Sequence, residues 1–248
     1  MGIRNFVRAR IRDLGWDVVR YREHNDTFKR FIHVCGSRRC ECVLDVGANT
    51  GQFATKLRKT GYRGTIVSFE PLSEAHAKLS TLAKRDSNWR VARRVAVGAV
   101  DRTTTINISK NSESSSVLPM LDRHVVAAPR SEYIDSEEVE MLRLDTFIES
   151  EMPGTVHPFA LKIDAQGYEA EIIEGISRNI GRVQVIFLEL SLVPLYQGAP
   201  LFLDMYERIE SLGFRCVSIT PGFTDPRTFE MLQVDGLFAR SDSTRMQG

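Results

Sequence analysis

Four carboxylates stand where a short apolar run gives way to a turn. They are Asp45 in "CVLDVGANTGQF", Glu70 in "SFEP", Asp164 in "LKIDAQG" and Glu189 in "FLEL". Gly47 and Gly51 follow the first of them, and without Cβ atoms the backbone there can turn sharply and approach a ligand closely. A dinucleotide turn would space three glycines so that a pyrophosphate rests on a helix N-terminus. Here Ala48, Asn49 and Thr50 lie between two glycines, and no phosphate-binding lysine follows. Asp45 would also repel a phosphate, whereas it suits a cation or an amine. S-adenosylmethionine carries both, as a sulfonium and an ammonium, and has no phosphate. Glu70, nineteen residues after Gly51, is placed to accept the two ribose hydroxyls of such a nucleoside.

The expected cofactor contacts are therefore Asp45, Gly47, Ala48, Asn49, Gly51, Glu70 and Pro71. Ala96 and Val97 offer adenine an apolar face, and Asp164 is within reach of the amino-acid end. Asp164 and Glu189, at the ends of neighbouring strands, have a second use as catalytic residues. Two adjacent carboxylates can share a proton, and the one with the raised pKa can take a proton from an acceptor. They could also bind Mg²⁺ through oxygen; a direct base or hydrogen-bonding role is the favoured expectation. Ser115, Gln166, Ser191 and Tyr196 are the candidate acceptor contacts, the first from a hydroxyl-rich stretch, "SKNSESSSVLP". His124 follows that stretch and is read as a loop histidine. Lys162 is assigned no role, and Asp145 is read equally as a helix cap and as a site residue.

To hold these groups together the chain needs strands alternating with helices. "CVLDV", "TIVSFE", "VARRVAVG", "FALKID" and "VQVIFLEL" read as strands, with helices over 50–60, 72–85, 168–179 and 201–212 between or after them. Such alternation implies right-handed crossovers and a mostly parallel sheet. "FRCVSIT" and "MLQVDGLFA" lie too close for a helical crossover and predict an antiparallel hairpin at one edge. "TTTINIS" is a further strand candidate, and 109–136 the longest loop. The expected class is α/β, a Rossmann-like seven-stranded sheet with an N-terminal helical lead-in. Residues 1–40 form that basic lead-in, 41–240 the domain and 241–248 a tail.

Ile3, Val7, Ile11, Leu14 and Val18 recur at helical spacing with arginines between them, ending near Gly15; a second helix starts at Asn25–Asp26–Thr27 and runs to about Gly36. Residues 1–42 carry a net +5 and the remainder −4. That balance argues for a local basic patch and against a protein that coats nucleic acid. Four cysteines with no Cys-x-x-Cys pair read as reduced thiols, although His33 lies near three of them. With no apolar run of membrane-spanning length, the expected location is the cytoplasm. The favoured reading of the N-terminal helix is docking on the domain with a solvated basic face; peripheral contact of residues 1–22 with an anionic membrane is the alternative expectation.

"VLDVGANTGQF", "SFEP", "RLDTF", "LKIDAQGYEAEIIEG" and "FLEL" together resemble, in order and spacing, the FkbM-type methyltransferases. The resemblance covers about residues 40–240. It implies S-adenosylmethionine-dependent O-methylation of a hydroxyl on a sugar, a glycolipid or a polyketide, with no nucleic-acid partner. Many members have Glu where Gln166 stands, and His where Ser191 stands.

Overall fold

The computed structural model describes residues 3–18, 20–152 and 157–241. Helices α1 (Ile3–Asp13) and α2 (Thr27–Ser37) precede strand β1 (Cys42–Val46), α3 (Gln52–Thr60), β2 (Thr65–Phe69), α4 (Ser73–Ala83) and β3 (Trp89–Val91). A middle section holds β4 (Ala96–Val97), β5 (Arg102–Ser109), α5 (Asp122–Ala127), β6 (Tyr133–Leu142) and α6 (Leu144–Glu151). The chain closes with β7 (Phe159–Ile163), α7 (Glu169–Gly175), β8 (Val183–Ser191), α8 (Phe202–Ser211), β9 (Phe214–Pro221) and β10 (Gln233–Arg240).

Seven strands form one sheet in the order β3-β2-β1-β7-β8-β10-β9. All neighbours from β3 to β8 are parallel, and β10 runs antiparallel to both β8 and β9. The central strands β1 and β7 are buried at every residue, as strands covered on both faces must be. Leu44, Val46, Leu161 and Ile163 face a core shared with Phe147, Ile172 and Ile209. Val43, Ala160, Val185 and Leu237 face the opposite layer, where Phe31 and Leu57 pack. Helix α2 belongs to that second layer. Asp26 caps it by accepting from the backbone N–H groups of Phe28 and Lys29, each at 3.0 Å, and Phe31 meets Phe53 and Phe187 edge-on.

The middle of the chain departs from expectation. The third strand of the main sheet is β3, at Trp89–Val91; Ala96–Val97 leave it and pair instead with β6 in a second sheet of order β4-β6-β5. The stretch 109–136 is not one loop, for it carries α5 and the beginning of β6. The outer half of β6 is polar and exposed, so only Val139, Met141 and Leu142 show a buried pattern. Helix α7 stops at Gly175 rather than running to 179. A side chain at Gly175 would stand 2.1 Å from the carbonyl oxygen of Gly98, so the two backbones touch there. Of the expected tail, all but residue 241 lies outside the described residues.

Candidate active site

Strand register places the polar groups in two rows on the face shared with α2 and α3. Asp45 pairs with Lys162, Lys162 with Phe187, and Phe187 with Leu237. Side chains alternate along a strand, so the next row toward the carboxyl ends holds Gly47, Asp164, Glu189, Asp235 and Thr220. The Asp235–Glu189 and Asp235–Thr220 pairings are direct. Above this row opens a cavity of about 1100 Å³. Its floor is that polar edge. Asn25–Phe28, Phe53 and the serine-rich segment 111–117 contribute to its walls.

The turn after β1 is built by contact with the turn after β7. Gly47 has φ +71°, and a Cβ there would lie 1.8 Å from the Asp164 carbonyl oxygen. Asp164 N–H in turn donates to Val46 O at 3.1 Å. Asp45, expected at the cofactor, does not border the cavity. It is fully buried, accepts from Ser68 Oγ at 2.9 Å, and forms an ion pair with Lys162 Nζ at 3.2 Å. Lys162, to which the sequence assigns no role, also donates to Val46 O at 3.1 Å and Gly47 O at 2.8 Å. Burial works against its charge, but Asp45, Asp164 and Glu70 together outweigh it and hold the ammonium above its ordinary range. Gly51 is also set back from the cavity. It has φ +94° and faces the ring of Trp89, 2.9 Å from where its Cβ would be, so its role is the packing of the turn.

The remaining expected cofactor positions border the cavity: Gly47, Ala48, Asn49, Glu70, Pro71, Ala96, Val97 and Asp164. Glu70 is held by two backbone donors, Asn49 N–H at 2.7 Å and Leu72 N–H at 2.9 Å. Burial raises its carboxyl to about 7, against the pull of those two bonds. Each oxygen retains a lone pair, which fits hydroxyl donors from a ribose. Ala96 and Val97 supply the apolar wall expected for adenine.

Glu189 is the most elaborately held group. Its Oε2 accepts from Gln166 Nε2 at 3.0 Å and from Gln233 Nε2 at 2.6 Å. Oε1 has no hydrogen-bond partner among the described residues, and Glu189 borders the cavity. Burial first, then Asp164, Glu169 and Asp235, push its pKa well above the ordinary carboxylate range. Asp235 is raised to about 6 by burial and Asp164.

Gln166 sits at φ +53°, and its whole amide is engaged within the protein. Nε2 also donates to Asp164 Oδ1 at 2.8 Å, and Oε1 accepts from the Tyr196 hydroxyl at 2.7 Å. It therefore positions the two carboxylates, and it borders the cavity as well. Tyr196 is buried away from the cavity, where its hydroxyl also lies 3.0 Å from Ser114 O. Ser191 is buried beside Gln233 and likewise does not border it. Ser115 does border the cavity, and its Oγ accepts from Ser109 N–H. His124 is buried edge-on to Tyr196, with Nδ1 unpaired. Burial lowers its pKa to about 4, which makes it a weak base.

An N–H group thus occupies the space between Asp164 and Glu189, where a shared Mg²⁺ would have to sit. Among the described residues no group of three or more His, Cys, Asp or Glu side chains is arranged to hold a metal ion. The residues do not fit Mg²⁺. Asp145, in the first turn of α6, is buried, accepts from the backbone N–H groups of Arg178 and Asn179, and does not border the cavity. Gln233 and Asp235 escape sequence reading; their only signal is the alternation in "QVDG", which puts both on one face of β10.

A parallel edge with a glycine turn, a buried carboxylate after the next strand and an antiparallel strand inserted next to last make the arrangement of the Rossmann-like S-adenosylmethionine-dependent methyltransferases. Within that class, residues 45–216 match the methyltransferase FkbM domain, and the chain belongs to that family. No curated protein matches the chain. Among solved structures it is similar to magnesium protoporphyrin IX methyltransferase from Synechocystis PCC 6803 with bound S-adenosylmethionine. That likeness has 12% identity and TM-score 0.46, over 97% of this chain and 98% of that one. An rRNA methylase from Streptococcus thermophilus is similar at 9% identity and TM-score 0.47, over 91% and 100%. TehB from Haemophilus influenzae is similar at 8% identity and TM-score 0.45; 86% of this chain is covered, but only 62% of TehB.

Proposed function

We propose that the protein is an O-methyltransferase acting on a hydroxyl of a sugar, carried on a glycolipid or another glycosylated metabolite. The observation that carries this reading is Glu189: two amides fix one carboxylate oxygen, the other accepts no hydrogen bond among the described residues, and the group borders the cavity with a raised pKa. S-adenosylmethionine, when bound, supplies a methyl group already activated on sulfur. What the chain must provide is alignment and a place for the acceptor's proton. As the oxygen–carbon bond forms and the carbon–sulfur bond breaks, the hydroxyl proton passes to Glu189 Oε1. Alignment alone supplies roughly 7–11 kcal/mol in well-oriented systems. Asp164 stands beside this site and faces the cofactor turn.

The cavity, at about 1100 Å³, reaches the upper end of single-ligand pockets, roughly 300–1,000 Å³, and so has room for donor and acceptor together. Thr220, Gln233, Asp235 and the serines of 114–116 offer a polyhydroxylated acceptor many partners, with Phe28 and Phe53 as an apolar flank.

The test is incubation of the purified protein with methyl-labelled S-adenosylmethionine and a sugar-bearing lipid extract, followed by mass spectrometry. Gain of one CH₂ on a glycosyl group supports the proposal. Label on a polyketide or other non-sugar hydroxyl would keep O-methylation and remove the sugar. Cofactor binding without transfer to any extract would make the protein a binding module.

A further inference from the structure

We propose that α1 and the stretch after it, up to Arg22, form a docking surface for an anionic lipid bilayer. Of the thirteen large hydrophobic side chains exposed among the described residues, six fall between Phe6 and Tyr21, a concentration that a purely solvated segment does not need. Phe6, Val7, Leu14, Trp16, Val18 and Tyr21 range from 48% exposed at Val7 to 77% at Leu14. At 3.6 residues per turn, Phe6, Val7 and Ile11 share one side of the helix, Arg8 borders it, Arg12 faces away from it, and Leu14 follows directly after the helix end. Arg10 lies on the apolar side with its guanidinium 5.6 Å from the Phe6 ring, the posture of a side chain that lays its stem on apolar ground and lifts its charge. Trp16 and Tyr21 are the amphipathic aromatics that settle at membrane–water interfaces.

Charge selects the occupant. Residues 3–22 hold six arginines against Asp13 and Asp17, a net +4. Arg8 and Arg12 both bind Asp17, at 2.7 and 2.8 Å, which ties the stretch after α1 back onto the helix. A second copy of the chain pairing through this face would set the same arginines against each other. An anionic bilayer complements them, and its interface accepts the apolar side. The next element along the chain leads to Asn25–Phe28, which border the cavity. The proposal does not depend on the methyl-transfer reading, because vesicle binding requires no acceptor.

The experiment is flotation of the full chain with vesicles of phosphatidylcholine alone and of phosphatidylcholine mixed with phosphatidylglycerol, at low and physiological salt. Association with the anionic vesicles, weakened by salt, is expected. The double variant Phe6→Ser/Trp16→Ser should lose it, and Arg10→Glu/Arg20→Glu should weaken it by about tenfold or more. Both variants change exposed positions, so each should melt at the parent temperature and bind S-adenosylmethionine as the parent does. Failure of the parent chain to float with anionic vesicles overturns the proposal, as does undiminished binding by Phe6→Ser/Trp16→Ser. A dimer that the same variant dissociates, with no vesicle binding, would assign the face to a second copy and also overturn it.

Discussion

Gly47 and Gly51 look alike in the sequence but differ in what they exclude. A methyl group at Gly47 would overlap the backbone oxygen of Asp164, which cannot move without breaking its strand, whereas at Gly51 it would press on the far end of the Trp89 ring. Gly47→Ala should therefore cost about 2–5 kcal/mol, from left-handed strain and overpacking together. It should also abolish S-adenosylmethionine binding by calorimetry, while Gly51→Ala keeps measurable binding. At Glu189 the expected effect is kinetic. Glu189→Gln should reduce methyl transfer about 10²–10⁴-fold and leave cofactor affinity nearly unchanged. Because the Glu189 pKa is raised, the parent rate should climb with pH through that raised range and then level. The variant should lack the climb. Gln166→Glu would put a third carboxylate where a donor now bridges Asp164 and Glu189, so the rising limb should move to higher pH. Asp164 and Glu189 were legible because a carboxylate ending an apolar run is conspicuous. Asp45 was legible as a group but not in its role, since its partner Lys162 lies 117 residues on and meets it only through strand register.

At the scale of elements, the Asp45–Lys162 pair is a brace between β1 and β7 beneath the cofactor turn. Lys162→Met should leave Asp45 buried and uncompensated and release the carbonyls of Val46 and Gly47, destabilising the fold by about 3–5 kcal/mol in chemical denaturation. Asp45→Asn combined with Lys162→Met should recover part of that loss, because the stranded charge is then gone. The central strands β1 and β7 could be read because complete burial makes them continuous apolar runs. The small sheet could not. β4 has two residues, and β6 begins with Tyr133, Ile134, Asp135, Ser136 and Glu137, a solvent-facing edge with no hydrophobic alternation. The helix boundaries were readable where a cap marks them, as Asp26 does for α2. They were unreadable where a tertiary contact ends the helix, as Gly98 does at Gly175.

For the whole molecule, the crowd of buried carboxylates around one cavity sets how stability responds to pH. Burial raises Glu70 and Glu169 from 4.5 to about 7 and Asp235 from 3.8 to about 6, and Glu189 moves the same way. Each binds its proton more tightly in the folded state. Its contribution to stability is complete below the unfolded value and is lost as pH rises through the folded one. His124, lowered from 6.5 to about 4, acts oppositely: its contribution is complete above 6.5 and fades as pH falls. Between about pH 4.5 and 6 four groups oppose one, above that Asp235 drops out, and each unmatched proton is worth about 1.4 kcal/mol per pH unit. The ligand-free protein should therefore melt at a higher temperature near pH 5 than near pH 8. Asp235→Asn should flatten that slope by removing one of the four groups without touching the cofactor turn. A bound sulfonium–ammonium ligand favours the ionised carboxylates, so saturating S-adenosylmethionine should raise the melting temperature more at pH 8 than at pH 5. A thermal-shift series across that range, with and without the ligand, reads both effects. Equal shifts at the two ends would mean that these carboxylates do not feel the ligand's charge.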